Sequence, residues 1–436
     1  MQCLHCDLSE QGHRVRLGEG EGEKQMAICT GCSLLCEDIV ASFENGSLKH
    51  AKNLCRRGHG HFQAALTERT RPLIDGEQVA VDKAIERAAE ILKSAKRPLL
   101  YGWSHCTQQA QFAGMALAEK LGATAEVTLD GASSFCEGIL MERILAGKIS
   151  TCTLDDVRNY ADTSIFWGSD PSSSHPRHLS RFSYYPRGEK RQRSYEEERT
   201  CIAVDVRRSP TAQLCSNYYF RLQSGGDAQF MEAVLAVLDG KIPKVADKKK
   251  MIELATILKK TEWGAIFPGP GLIYSLQDKM DLFEQLLARL NEITSFKVVP
   301  MLADCNARGF NELLFEKTGH AGSVSIQGGS AAYSAEHSVL AAAKKCDAVL
   351  AVGSDPLADL PIGTARALAR QPIIAIDPRR SLTTDAAKVV IPSALTGLEA
   401  GGTAVRMDGV KINFEPIMKS ELLTDEQILV RIMEAI

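Results

Sequence analysis

Neither net charge of one sign nor a long hydrophobic run marks this chain. Basic and acidic residues nearly cancel, 51 against 54, leaving a net charge of −3. No global field therefore draws it to nucleic acid or to a membrane surface. No apolar run is long enough to span a bilayer. The stretch from Met1 to Gly12 is polar and lacks the apolar core of an export signal, so the sequence reads as cytoplasmic. Aromatic residues make up only 6%, and no aromatic platform or basic recognition helix accompanies the one arginine-rich loop. That argues against a nucleic-acid reader. Hydrophobic residues are 44% of 436, enough to bury a sizeable core without a disulfide scaffold, in roughly two to four domains.

Cysteine is the residue in excess, with thirteen copies, five of them between Cys3 and Cys36 and a sixth at Cys55. In a reducing compartment, clustered cysteines point to metal rather than disulfides. Cys29, Cys32 and Cys36, followed at a distance by Cys55, have the spacing of three near thiolates and one remote one that can embrace a cubane iron–sulfur cluster. The rival is a zinc ribbon built from Cys3, Cys6, Cys29 and Cys32, which leaves Cys36 and Cys55 over. Residues 1–75 read as this cysteine-rich head. They are sparse in core hydrophobics and need a metal as staple. Arg56 or Arg57 would supply a cation beside the cluster.

From about residue 80 the pattern alternates helix and short apolar strand. Helical spacing over 82–93 places Ala84, Ile85, Ala88, Ala89, Ile91 and Leu92 on one face. Leu99-Leu100-Tyr101-Gly102-Trp103 reads as a strand running into a loop, and 108–121 as a helix closed by Gly122. An internal repeat stands out. Thr163-Ser164-Ile165-Phe166-Trp167-Gly168-Ser169-Asp170-Pro171 matches Ala348-Val349-Leu350-Ala351-Val352-Gly353-Ser354-Asp355-Pro356. Downstream, Ala203-Val204-Asp205-Val206-Arg207-Arg208-Ser209 matches Ala375-Ile376-Asp377-Pro378-Arg379-Arg380-Ser381. The fold expected is α/β, with duplicated, doubly wound parallel-sheet units at 76–240 and 241–395 and a cap at 396–436. Ligands of such sheets sit beyond the carboxyl ends of the strands. Gly168, Ser169 and Asp170, and likewise Gly353, Ser354 and Asp355, are therefore candidates to approach a phosphate. Asp205 with Arg207, and Asp377, are candidates for a ribose hydroxyl or a base. Each Asp can equally serve as a turn or helix cap. In the basic loop, His175, Arg177 and His178 are candidates for pterin, phosphate or partner contact, or else form a surface turn.

The cysteine spacing ahead of a duplicated α/β region resembles the molybdopterin oxidoreductase family. More narrowly, it resembles the family of formylmethanofuran dehydrogenase B subunits. The stretches that carry this are Cys29-Thr30-Gly31-Cys32, His175-Pro176-Arg177-His178-Leu179-Ser180-Arg181, Pro300-Met301 and Gly402-Thr403-Ala404-Val405-Arg406-Met407-Asp408-Gly409. The resemblance implies a [4Fe–4S] cluster at Cys29, Cys32, Cys36 and Cys55. It also implies a bis-molybdopterin guanine dinucleotide carrying Mo or W, one arm in each α/β unit. Within Ala132-Ser133-Ser134-Phe135-Cys136-Glu137-Gly138, Cys136 would ligate that metal. Glu137 stands where the family has a proton-handling histidine, and a buried Glu can act as a general base. Ala332 stands where the family has an arginine ahead of the tyrosine, here Tyr333. The implied reaction is CO2–formate interconversion in one-carbon metabolism, with amidohydrolase-like and ferredoxin-like subunits as partners. The alternatives are a non-redox scaffold in a bacterial formyltransferase/hydrolase complex and a zinc-stapled nucleotide-binding protein.

Overall fold

The structure is a computed structural model that describes residues 25–44, 47–121, 124–129, 131, 134–193, 198–245, 247–327, 330–332 and 338–436. Cys3, Cys6, Ala132, Ser133 and Tyr333 lie outside the described residues, as does Gly122.

Two sheets, one mixed and one parallel, form the body. The larger runs, edge to edge, through Ser330–Ala332, Val324–Gln327, Ala125–Leu129, Pro98–Gly102, Ala348–Val352, Ile373–Ile376, Val389–Ile391, Leu73–Ile74 and Glu77–Gln78. Its five central strands are parallel, and the two strands at each edge are antiparallel. The smaller sheet is wholly parallel: Tyr219–Arg221, Thr200–Asp205, Thr163–Trp167, Gly264–Pro268 and Phe296–Val298. The α/β expectation holds, but the boundary expected at 240/241 does not divide these sheets. Pro98–Gly102 pairs with Ala348–Val352, so the larger sheet is discontinuous in sequence. The smaller sheet, spanning 163–298, lies inside it as an insertion.

The central strands are buried on both faces, which explains their continuous apolar runs. Strand alternation splits the core of the larger sheet. Leu99, Tyr101, Val349 and Ile373 pack with Val339, Ala342, Leu360 and Leu368 on one side. Leu100, Leu350 and Ile374 belong to the main core with Ala84, Ile85 and Ala88 on the other. The helix Val81–Ser94 buries all six residues picked out by periodicity. Gln108–Lys120 is capped by Thr107, whose hydroxyl accepts from Ala110 N. The head is a three-stranded antiparallel sheet (Gln25–Ala27, Ile39–Glu44, Ser47–Lys52) followed by the helix Arg56–Thr67. The C-terminal region contributes the hairpin Gly402–Val405/Lys411–Phe414 and the helix Asp425–Ala435, which packs on the helices Val81–Ser94 and Gln108–Lys120.

At the end of the central strand the chain takes an unusual path. Gly102 has φ +121°, and a Cβ there would meet Val352 O at 2.1 Å. Trp103 follows with φ +87°, a genuine outlier for a bulky residue and worth about 1–3 kcal/mol of strain. Its fully buried ring stacks on Phe310, with centroids 5.8 Å apart, and fills the space that Gly114 leaves free. This turn delivers Ser104 and His105 to the carboxyl edge of the sheet.

A cysteine cage beside a polar cavity

Cys29, Cys32, Cys36 and Cys55 line one small void, together with Gly58, Pro176 and Arg177. Local geometry explains the grouping. Cys29 N donates to Cys36 O (3.0 Å) and Leu35 N to Cys32 O (3.2 Å), with Leu35 in the left-handed region at φ +42°. That folds 29–36 into a tight loop. Cys55 immediately precedes the helix Arg56–Thr67, and its sulfur accepts from Gly58 N at 3.4 Å. A Cβ at Gly58 would lie 2.7 Å from Cys29 Sγ, so only glycine lets the helix approach the loop this closely. Burial pushes the Cys32 thiol up to about 12 and raises Cys29 and Cys36 as well. Four soft sulfur donors around one buried void suit an iron–sulfur cluster. Among the described residues, no three His, Cys, Asp or Glu side chains converge as a site for a metal ion. The cage uses Cys36 and Cys55, the two that the zinc-ribbon pairing would leave over.

Arg57 joins this cage to a second feature. Its guanidinium donates to Gly31 O (2.7 Å) in the cysteine loop, to Ser174 O (3.0 Å) and to Asp304 (2.5 Å). Arg57 and Asp304 also line a cavity of about 750 Å³ at the carboxyl edge of the larger sheet. His105, Glu137, Gly353, Ser354, Asp355 and Asp377 share its wall, with Asp359, Arg379 and Arg380. Burial raises Asp377 to about 7, with Arg379 opposing the shift. Burial also raises Asp359, helped by Asp355 and Asp304. His105 stacks on His61, with centroids 5.5 Å apart, and stands 3.6 Å from Asp304.

The repeated blocks match in backbone turn and in hydrogen bonds. Gly168 and Gly353 have φ +58° and +60°. Asp170 Oδ1 accepts from Thr211 N and Oγ (3.2 and 2.6 Å), and Asp355 Oδ1 from Thr383 N and Oγ (3.0 and 2.6 Å). Asp205 Oδ1 accepts from Arg207 N (3.1 Å), and Asp377 Oδ1 from Arg379 N (2.7 Å). All four aspartates thus brace their own loops, the cap-and-turn role. Arg207 also pairs with Asp170 at 3.2 Å. The copies differ most at the cradle. Ser169 Oγ donates to Phe267 O (2.8 Å), whereas Ser354 Oγ is buried on the large cavity and, among the described residues, has no hydrogen-bond partner. A Cβ at Gly353 would meet only His105 and Cys106 atoms, the nearest at 3.5 Å, while one at Gly168 would meet Leu272 N at 2.3 Å. The second copy therefore presents an open cradle with a free donor.

The basic loop departs from expectation. His175 and His178 are buried and held neutral by burial, at about 4 and about 3. His175 donates through Nε2 to Leu302 O (2.9 Å) and accepts Ser174 Oγ at Nδ1 (2.8 Å). His178 is wedged edge-on against Phe166 and Phe267. Neither belongs to a surface turn. Arg177 forms a two-pronged pair with Asp38, both bonds 2.6 Å, tying the inserted domain to the head. Cys136 and Glu137 lie in the first turn of the helix Ser134–Leu145 and are both buried. Burial raises the Cys136 thiol to about 11. Glu137, rather than Cys136, is among the residues on the cavity wall. Ala332 ends the edge strand Ser330–Ala332. His105, Asp304 and Arg379 were missed by the sequence reading. His105 follows a strand's carboxyl end, the rule that picked out Gly353, and Arg379 sits in the same repeat block as Asp377.

No family model matches the chain. Two curated proteins do, both B subunits of a tungsten-containing formylmethanofuran dehydrogenase 2. The one from Methanocaldococcus jannaschii is 33% identical over 423 residues. The one from Methanococcus maripaludis is 32% identical over 424. Each alignment covers 92% of this chain and 96% of the relative. A solved structure, the formyltransferase/hydrolase complex FhcABCD from Methylorubrum extorquens with methylofuran, has a chain sharing the fold. Its TM-score is 0.66 at 24% identity, covering 83% of this chain and 98% of that one. With one-third identity sustained across nearly the whole length of both relatives, this chain belongs to the family of formylmethanofuran dehydrogenase B subunits.

Proposed function

We propose that the chain is a subunit of a formylmethanofuran dehydrogenase-type complex in one-carbon metabolism, carrying electrons between an iron–sulfur cluster and a pterin-bound Mo or W. The observation that carries this reading is Arg57. It connects a four-cysteine cage to a polar cavity at a strand-end ligand position. Cys29, Cys32, Cys36 and Cys55 would hold a [4Fe–4S] cluster. Gly353, Ser354 and Asp377 would take the phosphate and base ends of a guanine-dinucleotide arm, and Gly168, Ser169, Asp170, Asp205 and Arg207 the corresponding parts of a second. Cys136 would supply the thiolate to the metal, since soft sulfur suits it. When bound, the pterin and its metal supply two-electron chemistry at carbon.

The chain's own residues do the rest. Arg57 and Arg379 offer fixed positive charge to an oxyanion where Ala332 offers none. Glu137 and the raised Asp377, both on the cavity wall, would hold and move protons. Amidohydrolase-like and ferredoxin-like subunits would provide the carrier chemistry and the electron supply.

A second reading, a scaffold that keeps the fold without redox chemistry, draws on Glu137 and Ala332 standing in place of a histidine and an arginine. Iron, Mo/W and pterin analysis of the anaerobically purified complex separates the two. A broad brown absorbance with iron, Mo or W and pterin supports the redox subunit. A preparation with none of these supports the scaffold.

A further inference from the structure

We infer that Arg177 and Arg181 are the cations that set how readily the cysteine cage takes up an electron, acting at Cys36 and held by Asp38. The inference rests on the cage holding the proposed cluster. The basic residues nearest Cys55 in sequence do not fill this role at Cys36. Arg56 is exposed, and Arg57 spends its donors on Gly31, Ser174 and Asp304. Instead, the guanidinium groups of Arg177 and Arg181 both face the Cys36 sulfur, and Arg177 lines the cage void.

Both side chains are held in place. Arg177 makes its two-pronged pair with Asp38. Arg181 lies over the Phe182 ring, 5.0 Å to the centroid, with Nη1 3.6 Å from Asp38 Oδ1. At 18% and 19% exposure the two arginines are poorly screened, whereas Asp38 is 36% exposed. Two cations against one anion leave net positive charge at one ligand sulfur. Reduction adds negative charge to a cluster, so fixed positive charge beside its sulfur favours the reduced form. Asp38 opposes this while holding both arginines in position. The two substitutions Arg181→Gln and Asp38→Asn therefore have opposite signs.

The test is a potentiometric titration of the cluster in the native complex, followed by electron paramagnetic resonance, with iron content measured on each sample. Arg181→Gln should weaken electron affinity on the order of tenfold, about 59 mV for a one-electron couple. Arg181→Lys should stay near wild type, and Asp38→Asn should shift the potential upward. A purely structural role would lower iron content without this pair of opposite shifts. Full iron with an unchanged potential in Arg181→Gln, or shifts of the same sign in Arg181→Gln and Asp38→Asn, overturns the inference alone. If Arg181→Gln does not assemble, a potential that fails to rise in Asp38→Asn overturns it. A wild-type complex without iron removes the cage reading, and this inference with it.

Discussion

Arg406 offers the most direct test of how the parts are held together. It is 2% exposed and sits in the C-terminal hairpin region. Nε and Nη2 donate to the two oxygens of Asp408, both at 2.8 Å, and Nη2 also reaches Asp155 at 3.0 Å. Leu154 N donates to Asp408 as well, at 2.6 Å. Glu37 of the head stands 3.8 Å away, and the guanidinium lies 5.6 Å from the Phe182 ring centroid. One side chain thus links head, insertion and C-terminal hairpin. Asp155 and Glu37 are both 45% exposed, so their pairs add little. The Asp408 side chain is fully buried. Arg406→Ala leaves that charge uncompensated, a loss of about 3–5 kcal/mol. With an unfolding entropy of about 2.1 cal/mol/K per residue, a 436-residue chain unfolding as one unit loses about 3–5 °C in Tm. Calorimetry at pH 7 on wild type, Arg406→Ala, Asp408→Ala and the double variant measures this. The double variant should be less destabilised than the two single losses added, by at least about 2 kcal/mol. A drop below about 1 °C in Arg406→Ala, or additive losses, refutes the reasoning.

His178 makes stability depend on pH. Its folded value, about 3 against 6.5 unfolded, means that the unfolded chain binds the proton first, so its contribution is lost as pH falls below 6.5. Asp377 and Asp425, raised by burial to about 7 and about 6, regain stability over the same fall and partly mask it. His178→Phe should therefore gain about 2 kcal/mol relative to wild type between pH 7 and pH 5 in denaturant melts; parallel curves would count against burial as the cause. Gly114→Ala sets a methyl 2.1 Å from the Trp103 ring and should cost about 1–3 kcal/mol or more, read as a lowered urea midpoint; an unchanged midpoint would show that the ring can yield. Cys136→Ser should abolish Mo or W retention while leaving iron intact, and elemental analysis showing unchanged Mo or W would rule Cys136 out as ligand.

Much of the local structure could be read from the residues. Ala84, Ile85, Ala88, Ala89, Ile91 and Leu92 mark their helix face because burial imposes a 3.6-residue period. The repeated Gly-Ser-Asp-Pro blocks predict matching turns because the same side chains make the same bonds to Thr211 and Thr383. Strand order could not be read. An apolar run encodes a strand but not its neighbour, and nothing local in Leu99 or Leu100 says that their partners are Val349 and Leu350. The basic loop misled for a related reason. Charge in a sequence suggests an anionic ligand, yet Arg177 meets Asp38 from a remote segment, and the fold strips His175 and His178 of water. Their surroundings, not their identity, decide their state.

The insertion of one sheet within another also orders events during synthesis. Residues 163–298 contain every strand of the smaller sheet, so that sheet can close as soon as its own segment leaves the ribosome. The larger sheet cannot. Pro98–Gly102 emerges early with one neighbour, Ala125–Leu129, and must wait for Ala348–Val352 to cover its other edge. For the time taken to make some 250 residues, at roughly 5–20 per second, an apolar strand edge stands open. The cage waits as well. Ser33 O in its cysteine loop accepts from Met407 N at 3.1 Å, Thr30 donates to Thr396 O at 3.0 Å, and Leu35 packs with Ala404, Ile412 and Phe414. A chain stalled before Ala348 would therefore carry a cysteine loop without its C-terminal backing.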